Sequence, residues 1–173
     1  MLRILSILIT FLFLNVSSVS SSNFNYGSGY AAKSVLASQS LINAMDKIDN
    51  RIYAVGEHGI ILYSDDFGDS WTQAESVPYT STLTDISCSS KQSCWVTGHD
   101  ATILHSKDYG KTWIKQYEDV DWDAPLLSIH MFDDKEGIAI GAFALSLRTE
   151  DGGQTWGYLF LDDDEFQPHL NFT

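Results

Sequence analysis

Three carboxylates, Asp66, Asp108 and Asp151, occupy the same place in three copies of one short motif. The copies are Ser64-Asp65-Asp66-Phe67-Gly68-Asp69-Ser70-Trp71, Ser106-Lys107-Asp108-Tyr109-Gly110-Lys111-Thr112-Trp113 and Thr149-Glu150-Asp151-Gly152-Gly153-Gln154-Thr155-Trp156, whose first residues lie 42 and 43 residues apart. A carboxylate held at a fixed place can serve as an acid, a base or a nucleophile, and two on either side of a glycosidic bond can hydrolyse it. It can also hold a turn, by accepting bonds from nearby backbone amides. The neighbours favour the turn. Each Asp is followed by a glycine that tolerates positive φ, Gly68, Gly110 or Gly153, and then by Trp71, Trp113 or Trp156, a ring that can be buried between sheets. The expectation is a positive φ at each motif glycine and mostly buried tryptophans that begin the next strand.

Other residues offer chemistry with less pattern. Asp121, Asp123 and Glu165 could form a glycosidase pair, but among 23 acidic residues such candidates are inevitable, and solvated loops account for them. The histidines His58, His99, His105, His130 and His169 show no local metal-ligand spacing, and the run Asp162-Asp163-Asp164-Glu165 lacks the glycine-punctuated ligands of a calcium loop. Trp122, between Asp121 and Asp123, reads either as a recognition residue on a loop or as packing against its own blade. No catalytic residue, cofactor or metal is assigned.

The elements that carry these residues are short strands. Gly56, Gly98 and Gly141 fall in register, as do Leu62, Leu104 and Leu147. In the second repeat, strands are expected at 83–88, 94–97, 102–106 and 112–117, since short β-branched and aromatic runs alternate there with turn residues. A period of this length is one four-stranded antiparallel blade of a β-propeller. The fold class is therefore all-β, a partial propeller over 41–173 with blades at about 41–78, 82–120 and 125–161 and the start of a fourth at about 166–173, where Leu170-Asn171 resembles Ile42-Asn43. Three blades leave open flanks, so the isolated chain is expected to self-associate or aggregate, with 157–173 poorly packed.

Residues 1–22 read as a secretory signal peptide: Arg3, an apolar run from Ile4 to Val16 too short to span a bilayer comfortably, then Ser17 to Ser22. An uncleaved anchor is the alternative. Residues 23–40 form a lead-in segment, and the protein is expected in the periplasm or outside the cell, with no stable membrane span after signal removal. The formal net charge of −13 argues against nucleic acid and anionic lipid as partners. Cys88 and Cys94, the only cysteines, flank five residues and suit a disulfide in an oxidising compartment. The bond would pin the hairpin between the first two strands of the second blade and contribute about 2 kcal/mol, with Cα atoms about 4.4 to 6.8 Å apart. A zinc site would need a second ligand pair.

The motif S-x-D-x-G-x-[S/T]-W resembles the Asp-box, or BNR repeat. With Ala54-Val55-Gly56-Glu57-His58-Gly59, Val96-Thr97-Gly98-His99-Asp100-Ala101, Ile138-Ala139-Ile140-Gly141, Leu83-Thr84-Asp85-Ile86 and Pro125-Leu126-Leu127, the chain from about 41 to 173 is similar to the photosystem II assembly and stability factor family of seven-bladed propellers, including its exported bacterial relatives. The resemblance implies a non-enzymatic scaffold that binds a protein partner in the assembly of a membrane-protein complex, in the thylakoid lumen of a photosynthetic organism. In that family, arginines on one face contact the partner. Arg51 and Arg148 are the arginines left here after export, and Tyr63 and His105 occupy the position of Arg148 in the earlier repeats. A sialidase-like or other Asp-box glycoside hydrolase is the contrasting class. Sialidases grip their substrate carboxylate with three converging arginines, and this portion of chain supplies two.

Overall fold

The structure, a computed structural model, describes residues 29–122 and 124–159. Residues 1–22, expected to be a signal peptide, Asp123, the acidic run 162–165 with Glu165, His169 and residues 166–173, expected to begin a fourth blade, lie outside the described residues.

Each repeat folds into one four-stranded antiparallel sheet. The first contains β1 (Ile42–Ile48), β2 (Arg51–Gly56), β3 (Ile61–Ser64) and β4 (Thr72–Gln73); the second β5 (Leu83–Cys88), β6 (Cys94–Gly98), β7 (Ile103–Ser106) and β8 (Ile114–Tyr117); the third β9 (Leu126–Met131), β10 (Gly137–Gly141), β11 (Ser146–Thr149) and β12 (Gly157–Tyr158). The strands of each sheet are ordered as in the sequence, as hairpin connections require. Strand three of the second repeat begins at Ile103 and strand four at Ile114, slightly later than the sequence pattern suggests, because Thr102 and Thr112 take part in turns.

The sheets stack face to face. Tyr53, Val55 and Ile61 of the first meet Leu83, Ile86, Val96 and Leu104 of the second. Trp95 and Ile103 on the other face of the second meet Leu126, Ile129, Ala139 and Leu147 of the third. Covered on both faces, β6 is buried along its whole length, whereas β1 alternates between half-buried and exposed residues. Residues on the lead-in cover part of the first sheet's outer face: Ala37 is buried against Ala54, Ile60 and Leu62.

The first strands of neighbouring sheets lie side by side and are joined by side chains that reach across to the next backbone. Asn43 donates to the Leu83 carbonyl at 2.7 Å, and Thr84 donates to the Leu126 carbonyl at 2.6 Å from the equivalent position. Further along, Asp46 accepts from the Cys88 amide at 2.7 Å and Ser87 from the Met131 amide at 3.0 Å. Such bonds satisfy backbone groups that the sheets' own ladders leave unpaired.

Candidate functional site

The Asp-box turns lie at one rim, on the β3–β4, β7–β8 and β11–β12 hairpins. In the first, Ser64 Oγ accepts from the Gly68 amide at 2.8 Å and donates to Asp66 Oδ1 at 2.7 Å, while Asp66 accepts from the Ser70 amide and hydroxyl at 2.8 and 2.5 Å. Ser106, Asp108, Gly110 and Thr112 repeat this arrangement, as do Thr149, Asp151, Gly153 and Thr155. Gly68, Gly110 and Gly153 have φ of 98°, 74° and 79°. Bonds from Ser70 and Ser64 hold Asp66 down to about 2. Burial pushes Asp108 upward, but the Thr112 and Ser106 bonds outweigh it and its pKa is lowered; bonds from Thr155 and Thr149 lower Asp151. These are ionised acceptors already engaged by their own turns, a poor state for a general acid.

The motif tryptophans precede the fourth strands rather than begin them, and they are not equally buried. Trp113 is 3% exposed, whereas Trp71 and Trp156 are half-buried. The loop after β4 explains the difference: it runs beside the second motif, with a Ser76–Thr112 bridge and a 2.9 Å bond from the Trp113 amide to the Ser76 carbonyl. The loop after β8 makes no equivalent bond with Trp156 among the described residues. Trp71 faces the outer flank of the first sheet.

Cys88 and Cys94 are joined by a disulfide, with Cα atoms 4.0 Å apart, below the expected span. They are direct cross-strand partners, and the Cys88 amide points away to Asp46, so they form the narrow, non-hydrogen-bonded type of pair. The loop they close touches all three sheets. Lys91 O accepts from Tyr53 Oη at 2.6 Å, Gln92 Nε2 donates to Tyr109 Oη at 2.6 Å, and Ser89 Oγ donates to Asp134.

Beneath this loop is a cleft of about 280 Å³ lined by Ser90, Gln92, Ser93, His105, Lys107, Asp134, Asp151 and Gly152. His105, at its floor, is 2% exposed, and burial lowers its pKa to about 4. Its Nε2 lies 2.9 Å from Ser93 Oγ, a spacing that invites a nucleophile–base reading. The hydrogen-bond directions oppose it. Gln116 Oε1 accepts from Trp95 Nε1 and Gln116 Nε2 donates to the Gly152 carbonyl, which fixes the amide so that Nε2 also faces His105 Nδ1 at 3.0 Å. Nδ1 is then the acceptor, and the proton sits on Nε2, directed at Ser93. An imidazole that donates to the hydroxyl cannot take its proton.

Arg51 and Arg148 lie in different settings. Arg51 is ion-paired to Asp65 through Nε and Nη2, at 2.7 and 2.6 Å, donates to the Tyr109 carbonyl at 2.6 Å and lies over Tyr63, 4.6 Å from the ring centre. The Asp65 bond raises its pKa further. It ties the first sheet to the second. Arg148 is exposed on the third sheet and paired with Glu150 at 2.9 Å. Trp122 is half-buried, donates its amide to Asp119 and packs at a tilt on Tyr158, 5.9 Å between ring centres. The repeat register puts His105 at the place of Tyr63 and Arg148, but the sequence does not show that it is buried against Trp95 and bonded to Gln116.

The opposite rim is formed by the β2–β3, β6–β7 and β10–β11 turns. Each places a non-glycine residue in the left-handed region at an equivalent position, His58, Asp100 or Phe143, with φ of 55°, 54° and 55°, and the next residue, Gly59, Ala101 or Ala144, is left-handed too, with φ of 70°, 46° and 61°. Among the described residues no group of three or more His, Cys, Asp or Glu side chains is placed to hold a metal ion, and no helix is long and apolar enough to cross a membrane.

A family model described as photosynthesis system II assembly factor YCF48 matches residues 73–165. The fold is similar to a structure of YCF48 bound to D1 peptide, with a TM-score of 0.60 and 22% identity over 69% of this chain and 40% of that one. It is also similar to YCF48 from Cyanidioschyzon merolae, with a TM-score of 0.61 and 22% identity over 71% of this chain and 38% of the other. The chain thus spans about 40% of the length of the relative bound to D1 peptide. None of the curated proteins matches it.

Proposed function

The chain belongs to the photosystem II assembly factor YCF48 family, and we propose that it acts by binding a protein segment, as a non-enzymatic, exported propeller scaffold in the assembly of a membrane-protein complex. The family match carries this reading. It is supported by a structural relative that binds D1 peptide, and by the engagement of the Asp-box carboxylates in their own turns. The disulfide supports an oxidising compartment, since such bonds persist outside the reducing cytosol. The blade divisions at about 41–78, 82–120 and 125–161, with a fourth beginning near 166, belong to the same proposal.

Titration of the purified chain with a labelled D1 peptide, followed by fluorescence anisotropy, tests the reading, with a panel of chromogenic glycosides run in parallel. Saturable peptide binding without turnover is expected. Glycoside turnover without peptide binding would sink it.

A further inference from the structure

The third repeat breaks the chemistry of the β2–β3 and β6–β7 turns. Where those turns place polar His58 and Asp100 in the left-handed region, the β10–β11 turn places Phe143, which is 70% exposed. A bulky apolar residue is disfavoured both by that backbone geometry and by water. The connection that follows the third sheet lies outside the described residues, and Ala144 is exposed where its equivalents Gly59 and Ala101 are buried, so the position itself is best judged in the first two repeats. His58 and Asp100 precede connections that are described, and the Gly59 and Ala101 amides donate to Ser81 and Ala124 in them; nevertheless His58 stays exposed and Asp100 half-exposed. The position of Phe143 is therefore at least partly open at the rim where another blade follows. Leu127 differs, because its equivalents Asn43 and Thr84 bond the next sheet.

The turn that carries Phe143 adjoins a connection with apolar and acidic residues. The Ala142 amide bonds the Pro125 carbonyl at 3.0 Å, which sets the turn against the 118–125 connection. That connection carries Val120, 63% exposed, together with half-buried Trp122 and the acids Asp119 and Asp121. Asp100 joins them through a 3.1 Å bond from the Asp119 amide to its carbonyl. Neither Asp100 nor Asp121 has an ion-pair partner among the described residues, and the nearby Lys115 is paired with Glu118.

We propose that this rim is a docking surface for a cationic partner segment, an apolar side chain flanked by lysine or arginine, with Phe143 and Val120 covering the apolar group and Asp100, Asp119 and Asp121 facing the charges. The inference rests on the binding-scaffold reading and adds the partner's chemistry. Apolar contact supplies affinity, while opposite charges favour the right partner and speed encounter.

The test uses two labelled synthetic peptides with one Leu-Phe anchor, flanked by lysines in one and glutamates in the other, titrated into the full chain by fluorescence anisotropy. The lysine peptide is expected to bind saturably, and Phe143→Ser to weaken it about tenfold. Asp100→Asn with Asp121→Asn should weaken it about threefold and flatten its salt dependence. Phe67→Ser, at the opposite rim, removes an equally bare ring, 69% exposed, and should leave binding unchanged. Matching thermal melts establish that the variants are folded; if Phe143→Ser fails to fold, the charge variant and a Val120→Ser variant decide. No binding, equal binding of the glutamate peptide, or wild-type binding by Phe143→Ser or, where that fails to fold, by both of the other variants would overturn the proposal. If D1 peptide still binds in Phe143→Ser while the lysine peptide shows no preference, the scaffold reading stands and this surface fails.

Discussion

The imidazole of His105 lies flat on the indole of Trp95, with ring centres 4.1 Å apart and planes 8° apart. The two rings also share Gln116, which accepts from Trp95 and donates to His105. Two aromatic residues on adjacent strands of the second sheet are thus bound to a third strand and, through Gly152, to the neighbouring blade.

This network makes stability depend on pH. The His105 pKa is lowered from 6.5 to about 4 in the fold, so the unfolded chain takes up the proton first as pH falls. The contribution is complete above about 6.5 and declines as pH falls towards about 4, by roughly 3 kcal/mol at most. A protonated Nδ1 would also meet the Gln116 amide donor. Urea denaturation between pH 8 and pH 4, read against His105→Gln, should show a decline over this window that the variant largely lacks; identical profiles would refute it.

Reduction of Cys88–Cys94 should cost more than the closure of its short loop implies. The loop-entropy contribution is about 2 kcal/mol. The same loop also holds Tyr53 of the first sheet and Asp134 of the third, so its release loosens two blade interfaces. The expected result is a lower denaturation midpoint for Cys88→Ser/Cys94→Ser, with faster amide exchange in β2 as well as β5. Exchange changes confined to 88–94 would contradict this.

Two glycines of the same motif should respond differently to alanine. At Gly68 a Cβ would meet its nearest neighbour, Trp71, at 3.6 Å, so the substitution meets chiefly the backbone penalty of positive φ, about 1 kcal/mol. At Gly110 it would come within 2.6 Å of Tyr53 Cε1, in the buried interface between the first two sheets, adding an overpacking cost of about 1 to 3 kcal/mol. Equal melting temperatures for the two variants would show that the interface yields freely.

Arg51→Lys should destabilise the chain although charge is retained. A lysine cannot reproduce the paired bonds to Asp65, the bond to the Tyr109 carbonyl and the stacking on Tyr63 together, and the loss should be about 1 to 2 kcal/mol. A double-mutant cycle with Asp65→Ala isolates the ion pair. A coupling energy near zero would mean that the contact is incidental.

The parts of this molecule legible in its sequence are those built by local physics. Ser64, Asp66, Gly68 and their equivalents lie within a few residues of one another and announce their turns; Cys88 and Cys94 close a loop over five residues. The interface groups are another matter. Arg51 reaches Tyr109 across 58 positions, and Gln116 joins Trp95 and His105 to Gly152, in patterns that do not recur from repeat to repeat. Trp71, Trp113 and Trp156 are one residue type in one motif, yet their burial differs because it depends on what the following or preceding chain lays over them.

The bonds that step from Asn43 to Leu83 and from Thr84 to Leu126 give the array an internal direction. The receiving atom is a backbone carbonyl, which any repeat can offer; the donor is a side chain that only some repeats own. Leu127, at the equivalent place in the third, has nothing to donate. The units are consequently not interchangeable cassettes. A gene rearrangement that duplicated the second would carry this bond to whatever came after, whereas one that moved the third between the first two would lose it at the third's trailing side.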